Sequence, residues 1–460
     1  MSKININRRN FLKNSILSSV GATTWLGVGS QFGMINAALA NNSTQAAGYK
    51  ALVCIFLHGG NDSFNMIIPN SDNGYAAYQN TRQNMAIARE TLLPVSPLNP
   101  VSDSYGFNPA LAPIQELFNQ GDLAVVNNIG TLIEPANKTD IFQGNVQLPP
   151  QLFSHNDQQR HWQTAWPQQN QSTGWAGRMA DLVADNNTNL SMNISLAGTN
   201  FLQTGINGGA YSMSSNGAPL MAALTPGVEA GNEERLALIQ SLTNQSQHLF
   251  EKEYGATISR ASELSSLVNA ALGDAPAMSS FFSNQNSISN DLAMVAQMIS
   301  VEQLLPQPQQ IFLVGMGGWD THDNQIIAHA NQLNALSQAM ADFNSALESI
   351  NKNSEVTTFT MSDFGRTLTS NGDGTDHGWG GVQMVMGGAV DGGKFYGDLP
   401  ELTLNSNDDF GDGRIIPTTS ADQYAATIAR WYGLNDSELN VVFPNLSNFN
   451  NNDLGFMTTL

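Results

Sequence analysis

Histidine and aspartate, residue types that commonly ligate a catalytic metal, are concentrated in four short polar clusters of this chain. Five of the seven histidines lie in these clusters. Charged residues make up only 12% of the sequence, so a generic solvated surface does not explain the concentration. The clusters are HGGND (58–62), SHNDQQRHW (154–162), GGWDTHDNQ (317–325), and SDFGRT with TDHGWGG (362–367 and 375–381).

The third cluster has the spacing of a ligand pair. Asp320 and His322 are two residues apart, so an extended segment directs both side chains to the same side. Asp323 is then directed elsewhere, and we predict that it caps the helix that begins near Asn324. The cluster therefore predicts a site built from Asp320 and His322.

The other clusters leave alternatives open. Asp62 is either a ligand or the N-cap of the following helix. Arg366 either clamps an anion or pairs with a nearby carboxylate. His155 and His161 are six residues apart, so they do not form a metal-binding i, i+4 pair on one helix face, and His161, beside Trp162, is interpreted as a packing residue.

Continuous apolar runs of strand length precede several of these clusters. Such runs are typical of strands covered on both faces, as in a parallel sheet. Helical patterns alternate with them, which predicts an α/β fold with a mainly parallel sheet sandwiched by helices. Because a crevice forms at the carboxyl ends of parallel strands, the clusters are expected at that edge. The predicted strands are 51–57, 123–130, 310–316, 356–361 and 382–388, and the predicted helices are 109–121, 326–350 and 420–433.

The middle of the chain has a different pattern. Residues 203–230 are rich in Gly, Ser and Asn, and residues 231–300 carry long helical patterns. We interpret 203–300 as a loop and helical insertion in one domain that spans residues 50–460.

The N-terminus has the layout of an export signal. Arg8-Arg9 precedes a short apolar stretch that ends in the small-residue sequence Ala38-Leu39-Ala40, as in a twin-arginine signal peptide over residues 1–40. An uncleaved anchor helix is the alternative, but Ser and Gly interrupt the apolar run. The layout predicts a periplasmic or secreted protein with no stable membrane span after the signal is cleaved.

Composition and missing motifs exclude several classes of protein. The net charge of −20 and the pI near 4.5 exclude nucleic acid as an expected partner, because phosphate binding needs a basic face. Cys54 is the only cysteine, so the chain forms no intramolecular disulfide. The sequence has no G-x-S-x-G elbow, no P-loop and no H-E-x-x-H helix.

The clusters and their flanking segments together resemble the bacterial exported family called domain of unknown function 1501. The resemblance runs in order from about residue 50 to residue 433. That family is itself similar to the alkaline phosphatase and sulfatase superfamily, which has an α/β fold with a mainly parallel sheet. The matching segments are FLHGGNDSFNMIIP, GFNPALAPIQELFNQGDLAVVNNIG, FSHNDQQRHWQTAWP, GGWDTHDNQ, SDFGRTLTSNGDGTDHGWGG and GRIIPTTSADQYAATIARWYG.

The resemblance implies a metal-dependent hydrolase of phosphate or sulfate esters. It implies Ser154 as the nucleophile, with Ser63 as the alternative, and Arg366 as the residue that holds a substrate oxygen. The substrate would be a small-molecule or polysaccharide-linked anionic ester, and the metal would be zinc, magnesium, manganese or calcium. The resemblance implies five metal ligands: Asp62, Asp320, His322, Asp363 and His377.

Two departures from the superfamily support a second hypothesis. Asp320 and His322 have one residue between them where the superfamily usually has three, and Phe364 follows Asp363 where the superfamily tends to have a histidine. A set rich in carboxylates also suits Mg²⁺, Mn²⁺ or Ca²⁺ rather than zinc. The alternative is therefore a non-catalytic exported binding or surface-assembly protein on a degenerate hydrolase scaffold.

Overall fold

The computed structural model describes residues 48–183, 190–219, 230–245, 249–307 and 309–458. The predicted signal peptide, residues 1–40, lies outside the described residues. The strands are β1 (Lys50–Leu57), β2 (Ile67–Pro69), β3 (Leu93–Val95), β4 (Tyr105–Phe107), β5 (Leu123–Gly130), β6 (Asn193–Ser195), β7 (Tyr211–Ser212), β8 (Gln309–Met316), β9 (Val356–Ser362), β10 (Arg366–Ser370), β11 (Thr375–His377), β12 (Gly381–Met386), β13 (Phe395–Tyr396) and β14 (Thr419–Ser420). The helices are α1 (Asp72–Arg82), α2 (Ala112–Gln120), α3 (Lys138–Gln143), α4 (His155–Thr164), α5 (Trp175–Val183), α6 (Asn232–Gln245), α7 (Leu249–Gly273), α8 (Ser287–Ser300), α9 (Gln325–Ser349), α10 (Ala421–Tyr432) and α11 (Asp436–Val442).

Nine of the described strands form one sheet in the order β13-β5-β12-β9-β1-β8-β6-β7, with β14 paired to β5. Among the described pairs of this sheet, only those of β12 with β9 and with β5 are antiparallel. The predicted α/β class with a mainly parallel sheet is therefore confirmed. The five predicted strands correspond to β1, β5, β8, β9 and β12, and their ends shift by no more than two residues.

Side-chain alternation along β1 explains why the sheet is covered on both faces. Ala51, Val53 and Ile55 belong to one buried cluster, whereas Leu52 and Cys54 belong to another. Because neighbouring strand residues point to opposite faces, the two clusters are the two interior layers of the fold. Helices α2, α8 and α9 pack into the first layer, and α5, α10 and α11 pack into the second.

Part of the region that we predicted as an insertion packs into the main core. Leu292, Val295 and Ile299 of α8 are buried in the same cluster as Val53 of β1. Leu238 of α6 and Leu267 of α7 are instead exposed, at 59% and 40%. The division of the chain into a signal and one domain with an insertion stays a prediction. Among the described helices, none is long and apolar enough to cross a membrane.

Helix α10 buries a carboxyl group that is costly to ionise. Asp422 is only 3% exposed, and its Oδ2 accepts no hydrogen bond from the described residues. Burial raises the pKa of Asp422 to about 8, although the charge of Arg178 acts in the opposite direction. Below about pH 4 the carboxyl is protonated in both the folded and the unfolded state, so it does not affect stability there. Between about pH 4 and pH 8 it ionises readily only in the unfolded state, so the free energy of unfolding falls as the pH rises.

Asp422→Asn is expected to stabilise the protein at neutral and alkaline pH. Asparagine has nearly the same shape and needs no proton to remain neutral, so the gain should reach on the order of 5 kcal/mol near pH 8 and vanish near pH 4. Thermal unfolding of both proteins between pH 4 and pH 8 measures this difference. A gain in stability that does not depend on pH would show that burial does not raise the pKa of Asp422.

Candidate metal centre

Two of the predicted carboxylates lie at adjacent strand ends. Asp320 follows β8 and Asp363 directly follows β9, and both strands pair in parallel with β1, which lies between them. The carboxyl ends of the three strands therefore form one edge. His58 follows β1 at this edge, and its backbone N–H donates to the carbonyl oxygen of Met316.

Glycines after β1 allow the loops at this edge to approach closely. Gly59 has φ +122°, and a Cβ atom there would lie 2.3 Å from the backbone nitrogen of Asp320. Gly60 has φ +86°, and a Cβ atom there would lie 2.4 Å from the ring of Phe364. Both positions require glycine for conformation and for space, so the HGG segment fixes the position of the Asp320 loop.

The β10–β11 hairpin places a cation and an imidazole opposite each other. Arg366 and His377 are partners in its antiparallel register. The buried guanidinium of Arg366 donates from Nη1 to Asp320 Oδ1 at 2.6 Å, and His377 Nε2 lies 3.4 Å from the same oxygen. The hairpin thereby carries two predicted site residues to the carboxylate after β8.

His155, at the first position of α4, completes the cluster. Its Nδ1 lies 2.7 Å from Asp363 Oδ2 and its Nε2 lies 3.3 Å from Asp320 Oδ2. The imidazole ring is 4.3 Å from that of His377 and 4.9 Å from that of Phe364, measured between centroids. The ligand atoms of His155, Asp320 and His377 all lie within 4.8 Å of one another.

His322 contacts two members of this set. Its Nε2 lies 3.0 Å from Asp320 Oδ1 and 3.0 Å from His377 Nε2. The predicted pair of Asp320 and His322 therefore does face one side of the chain. Three imidazole Nε2 atoms converge on a single carboxylate.

The opposite nitrogen of each ring faces an oxygen. His377 Nδ1 lies 2.7 Å from the carbonyl oxygen of Phe153, and His322 Nδ1 lies 3.3 Å from Asp376 Oδ1. A carbonyl oxygen only accepts, so His377 carries a proton on Nδ1 and, when neutral, keeps its Nε2 lone pair. This arrangement is typical of metal-binding imidazoles, whose Nδ1–H is held by an outer oxygen.

The charges around the cluster shift three of its groups. Burial acts to raise the pKa of Asp320, but the hydrogen bond and charge of Arg366, with the nearby imidazoles of His322 and His155, lower it overall. The hydrogen bond to Asp363 raises the pKa of His155, against the effect of burial. Burial lowers the pKa of His377, so this ring is neutral at neutral pH.

Arg366 directs its hydrogen bonds at the protein. Besides Asp320, the fully buried guanidinium donates to the hydroxyl and the carbonyl oxygen of Thr375 and to the carbonyl oxygen of Gly59. The sequence left open whether Arg366 clamps an anion or pairs with a nearby carboxylate, and the structure shows its ion pair with Asp320.

Asp62 lies outside the cluster. It is fully buried, its Oδ2 forms an ion pair with Arg82, and the same oxygen accepts a hydrogen bond from Gln325. Its side chain caps no helix, so the N-cap alternative is wrong. A chain of contacts through Gln325 and the Thr375 hydroxyl links it to Arg366, because Thr375 Oγ1 donates to Gln325 Oε1 at 2.6 Å.

The two candidate nucleophiles have different surroundings. The half-buried Ser154 precedes His155, and its hydroxyl donates to Asp157 Oδ2 at 2.6 Å. Ser63 is buried, and its Oγ accepts from the backbone N–H of Val382 at 2.9 Å. Ser63 is therefore a structural bridge to β12, whereas Ser154 lies beside the cluster.

The predicted cap of α9 is wrong. Asn324, not Asp323, is the N-cap residue, with φ +50° and no side-chain cap. Asp373, from the β10–β11 hairpin, accepts from the backbone N–H of Asn324 at 3.2 Å through its side chain, and its carbonyl oxygen accepts from Gln325. The helix start is thus capped from a distant segment.

Sequence reasoning did not assign His155. The SHNDQQRHW cluster was singled out, but its histidines were compared only with each other, and His161 is indeed buried against Gln158. The available signal was a histidine at the first turn of a helix, adjacent to the proposed Ser154. Its partner Asp363 is 208 residues away in sequence, so no local spacing reports the contact.

The family model described as "Protein of unknown function (DUF1501)" matches residues 49–443. The chain belongs to this family. The sequence resemblance to DUF1501 is thereby confirmed over its whole range. No curated protein matches the DUF1501 chain.

Solved structures that are similar to the DUF1501 chain include a sulfatase. The crystal structure of Ps i-CgsB is 9% identical with a TM-score of 0.35, and the match covers 88% of this chain and 77% of that one. The same protein in complex with k-i-k-neocarrahexaose is 10% identical with a TM-score of 0.34, over 88% and 77%. PsFucS1 sulfatase from Pseudoalteromonas sp. is 9% identical with a TM-score of 0.31, over 81% and 69%.

Proposed function

We propose that this protein is an exported, metal-dependent hydrolase of phosphate or sulfate esters. One observation carries the proposal: the Nε2 atoms of His155, His322 and His377 converge on the carboxylate of Asp320 at the carboxyl edge of the sheet. Export is supported by the signal-like sequence of residues 1–40. The ester class is supported by the sequence resemblance of the clusters to the alkaline phosphatase and sulfatase superfamily.

The donor set fits a transition metal. His155 Nε2 is buried and lies 3.3 Å from Asp320 Oδ2 without the geometry of a regular hydrogen bond, and two imidazole nitrogens face each other at 3.0 Å. Three imidazoles and one carboxylate suit zinc or a similar ion, whereas magnesium and calcium prefer oxygen ligands. We therefore favour zinc over the other metals that the sequence allowed, with His155 in the place that the resemblance gave to Asp62. When bound, the ion would act as a Lewis acid toward the ester.

The surrounding side chains hold the ligands in place. Arg366 fixes the Asp320 carboxylate, and Asp363 orients the ring of His155 through Nδ1. The ring of Phe364 stacks on His377 at 4.7 Å and covers one side of the cluster. We propose Arg366 and Asp363 as positioning residues, which act through the ligands they contact.

Ser154 remains the proposed nucleophile. Asp157 Oδ2 accepts the hydrogen bond of its hydroxyl at 2.6 Å. It is therefore placed to take the proton as the serine oxygen bonds to the phosphorus or sulfur atom and the bond to the departing alcohol breaks, after which water would release the phosphate or sulfate from the serine. The substrate is proposed to be a small-molecule or polysaccharide-linked anionic ester. A bound metal cation would attract the negative charge of the phosphate or sulfate group.

The proposal is tested by metal content and ester hydrolysis of the mature protein purified without chelator. We expect about one zinc-class ion per chain, and turnover of phosphodiester or sulfate substrates that His155→Ala abolishes. His161→Gln is the matched control, since His161 is a packing residue of the same helix, and it should keep both metal and activity. Protein without metal or turnover would contradict the proposal and leave the non-catalytic binding protein as the better account.

A further inference from the structure

A cavity of about 350 Å³ opens beside the metal cluster at the same edge of the sheet. It is lined by His58 after β1, by Thr199 and Phe201 in the segment after β6, and by Gln159 and Gln163 of α4. Strand β8, which carries Asp320 at its end, lies between β1 and β6. The volume is in the range of small-molecule sites.

Gln159 connects the cavity to the cluster. Its Nε2 donates to Asp363 Oδ2 at 2.9 Å, the same oxygen that His155 Nδ1 contacts. Its Oε1 accepts no hydrogen bond from the described residues. A ligand in the cavity would therefore lie next to an ester held at the cluster.

The cavity offers hydrogen-bonding groups that the protein does not use. Gln163 accepts through Oε1 from the backbone N–H groups of Phe201 and Leu202, but within the described chain its Nε2 donates to nothing. The hydroxyls of Thr199 and Ser172 likewise have no hydrogen-bond partner among the described residues. Neither has the imidazole of His58, whose ring lies 4.6 Å from that of Phe56. Burial lowers the pKa of His58, so that ring is neutral, with one donor and one acceptor.

The lining selects a neutral ligand. The described lining residues of the cavity include no Asp, Glu, Lys or Arg. The guanidinium of Arg160 lies 5.2 Å from the ring centroid of Phe201, but it directs its hydrogen bonds at the carbonyl oxygen of Gln171, so a charged group in the cavity would have no side chain of opposite charge in the lining itself. The cavity lining holds both hydrogen-bond donors and hydrogen-bond acceptors that the protein leaves unused. A ligand with hydroxyl groups suits such a lining, since each hydroxyl both donates and accepts. The ring of Phe201 lies beneath the guanidinium of Arg160, and its exposed part, 43% of the residue, offers an apolar surface to the C–H groups of a sugar ring.

We propose that this cavity is a subsite for a neutral, hydroxyl-rich ring, namely the monosaccharide unit that carries the ester. The proposal rests on the proposed function, because it assigns the uncharged part of the same substrate. The cavity recognises the sugar hydroxyls, and the metal cluster recognises the ester group.

Binding of neutral sugars tests the subsite without any turnover. Saturation-transfer difference NMR with methyl hexosides and methyl 6-deoxyhexosides, with cyclohexanol as an apolar control, is expected to show contacts for at least one glycoside and none for cyclohexanol. Gln163→Leu should weaken that binding about tenfold and Thr199→Val about threefold, because each removes a hydrogen-bonding group from the cavity. Thr199 is exposed, so the second variant tests the proposal even if Gln163→Leu disturbs the Phe201 loop.

Gln285→Leu serves as the control, since Gln285 is an exposed glutamine with no hydrogen bond to the described residues. Metal content is measured on the same samples. Sugar binding that the cavity variants weaken, in protein without metal, would overturn the proposed function and keep the subsite. Metal and ester turnover without glycoside binding, or with binding that neither cavity variant weakens, would overturn the subsite alone.

Discussion

Asp320→Asn is expected to lower the affinity of the protein for zinc by more than about 100-fold, which exceeds the loss typical of an outer-shell partner. The carboxylate is the common neighbour of three imidazole Nε2 atoms, at 3.0 to 3.4 Å. A neutral amide keeps the shape and still accepts from Arg366, but it is a much weaker metal ligand than a carboxylate. Competition with a chromogenic chelator measures the affinity.

Two variants bracket this result. Asp363→Asn should cost only about 10- to 100-fold, because in the proposed centre Asp363 contacts the ligand His155 and not the metal itself. Asp323→Asn should cost nothing, since Asp323 is exposed in the same loop and makes no hydrogen bond to the described residues. Normal zinc affinity in Asp320→Asn together with its loss in Asp62→Asn would place the centre at the carboxylate after β1 instead.

Arg82→Met is expected to destabilise the fold by about 3–5 kcal/mol, because it leaves the charge of Asp62 buried without its partner. Both side chains are fully buried, and Arg82 also donates to Asn65 Oδ1 at 3.1 Å and to the carbonyl oxygen of Thr367 at 2.8 Å. Urea unfolding of the variant and the parent protein gives the difference in free energy of unfolding.

The double-mutant cycle with Asp62→Asn separates charge from packing. Asp62→Asn in the Arg82→Met background should recover part of the loss, because the unpaired charge is then removed. Arg89→Met is the matched control: its ion pair with Asp72 is exposed, and the expected cost is below about 1 kcal/mol. If Arg82→Met costs no more than the control, then Asp62 is not held as a structural ion pair and its role as a metal ligand reopens.

The sequence predicts the fold better than the site, because the signals for the fold are local. The apolar run of β1 alternates between two interior layers, and its length and flanking glycines define a buried strand without reference to any other segment. Helix α9 is equally clear, since Leu333, Leu336, Met340 and Phe343 recur at helical spacing on its buried face.

The site depends on contacts between distant segments. Asp320 and His322 contact each other as their spacing predicted, but the backbone turns between them, since the N–H of His322 donates to the carbonyl oxygen of Asp320 at 3.2 Å. Whether a carboxylate becomes a ligand or a structural partner depends on which cation folds against it. Arg82 from α1 takes Asp62, whereas Arg366 reaches Asp320 and leaves room for imidazoles. The residues within one cluster do not indicate which arginine will pair with which carboxylate. They also do not indicate that His155 will contact Asp363.

Anomalous X-ray diffraction from crystals of the zinc-loaded protein locates the ion among the four proposed ligands. We expect an anomalous peak at about 2.0–2.2 Å from Nε2 of His155, His322 and His377 and from a carboxylate oxygen of Asp320. A peak beside Asp62, or none among these four side chains in protein that binds zinc in solution, would contradict the proposed centre.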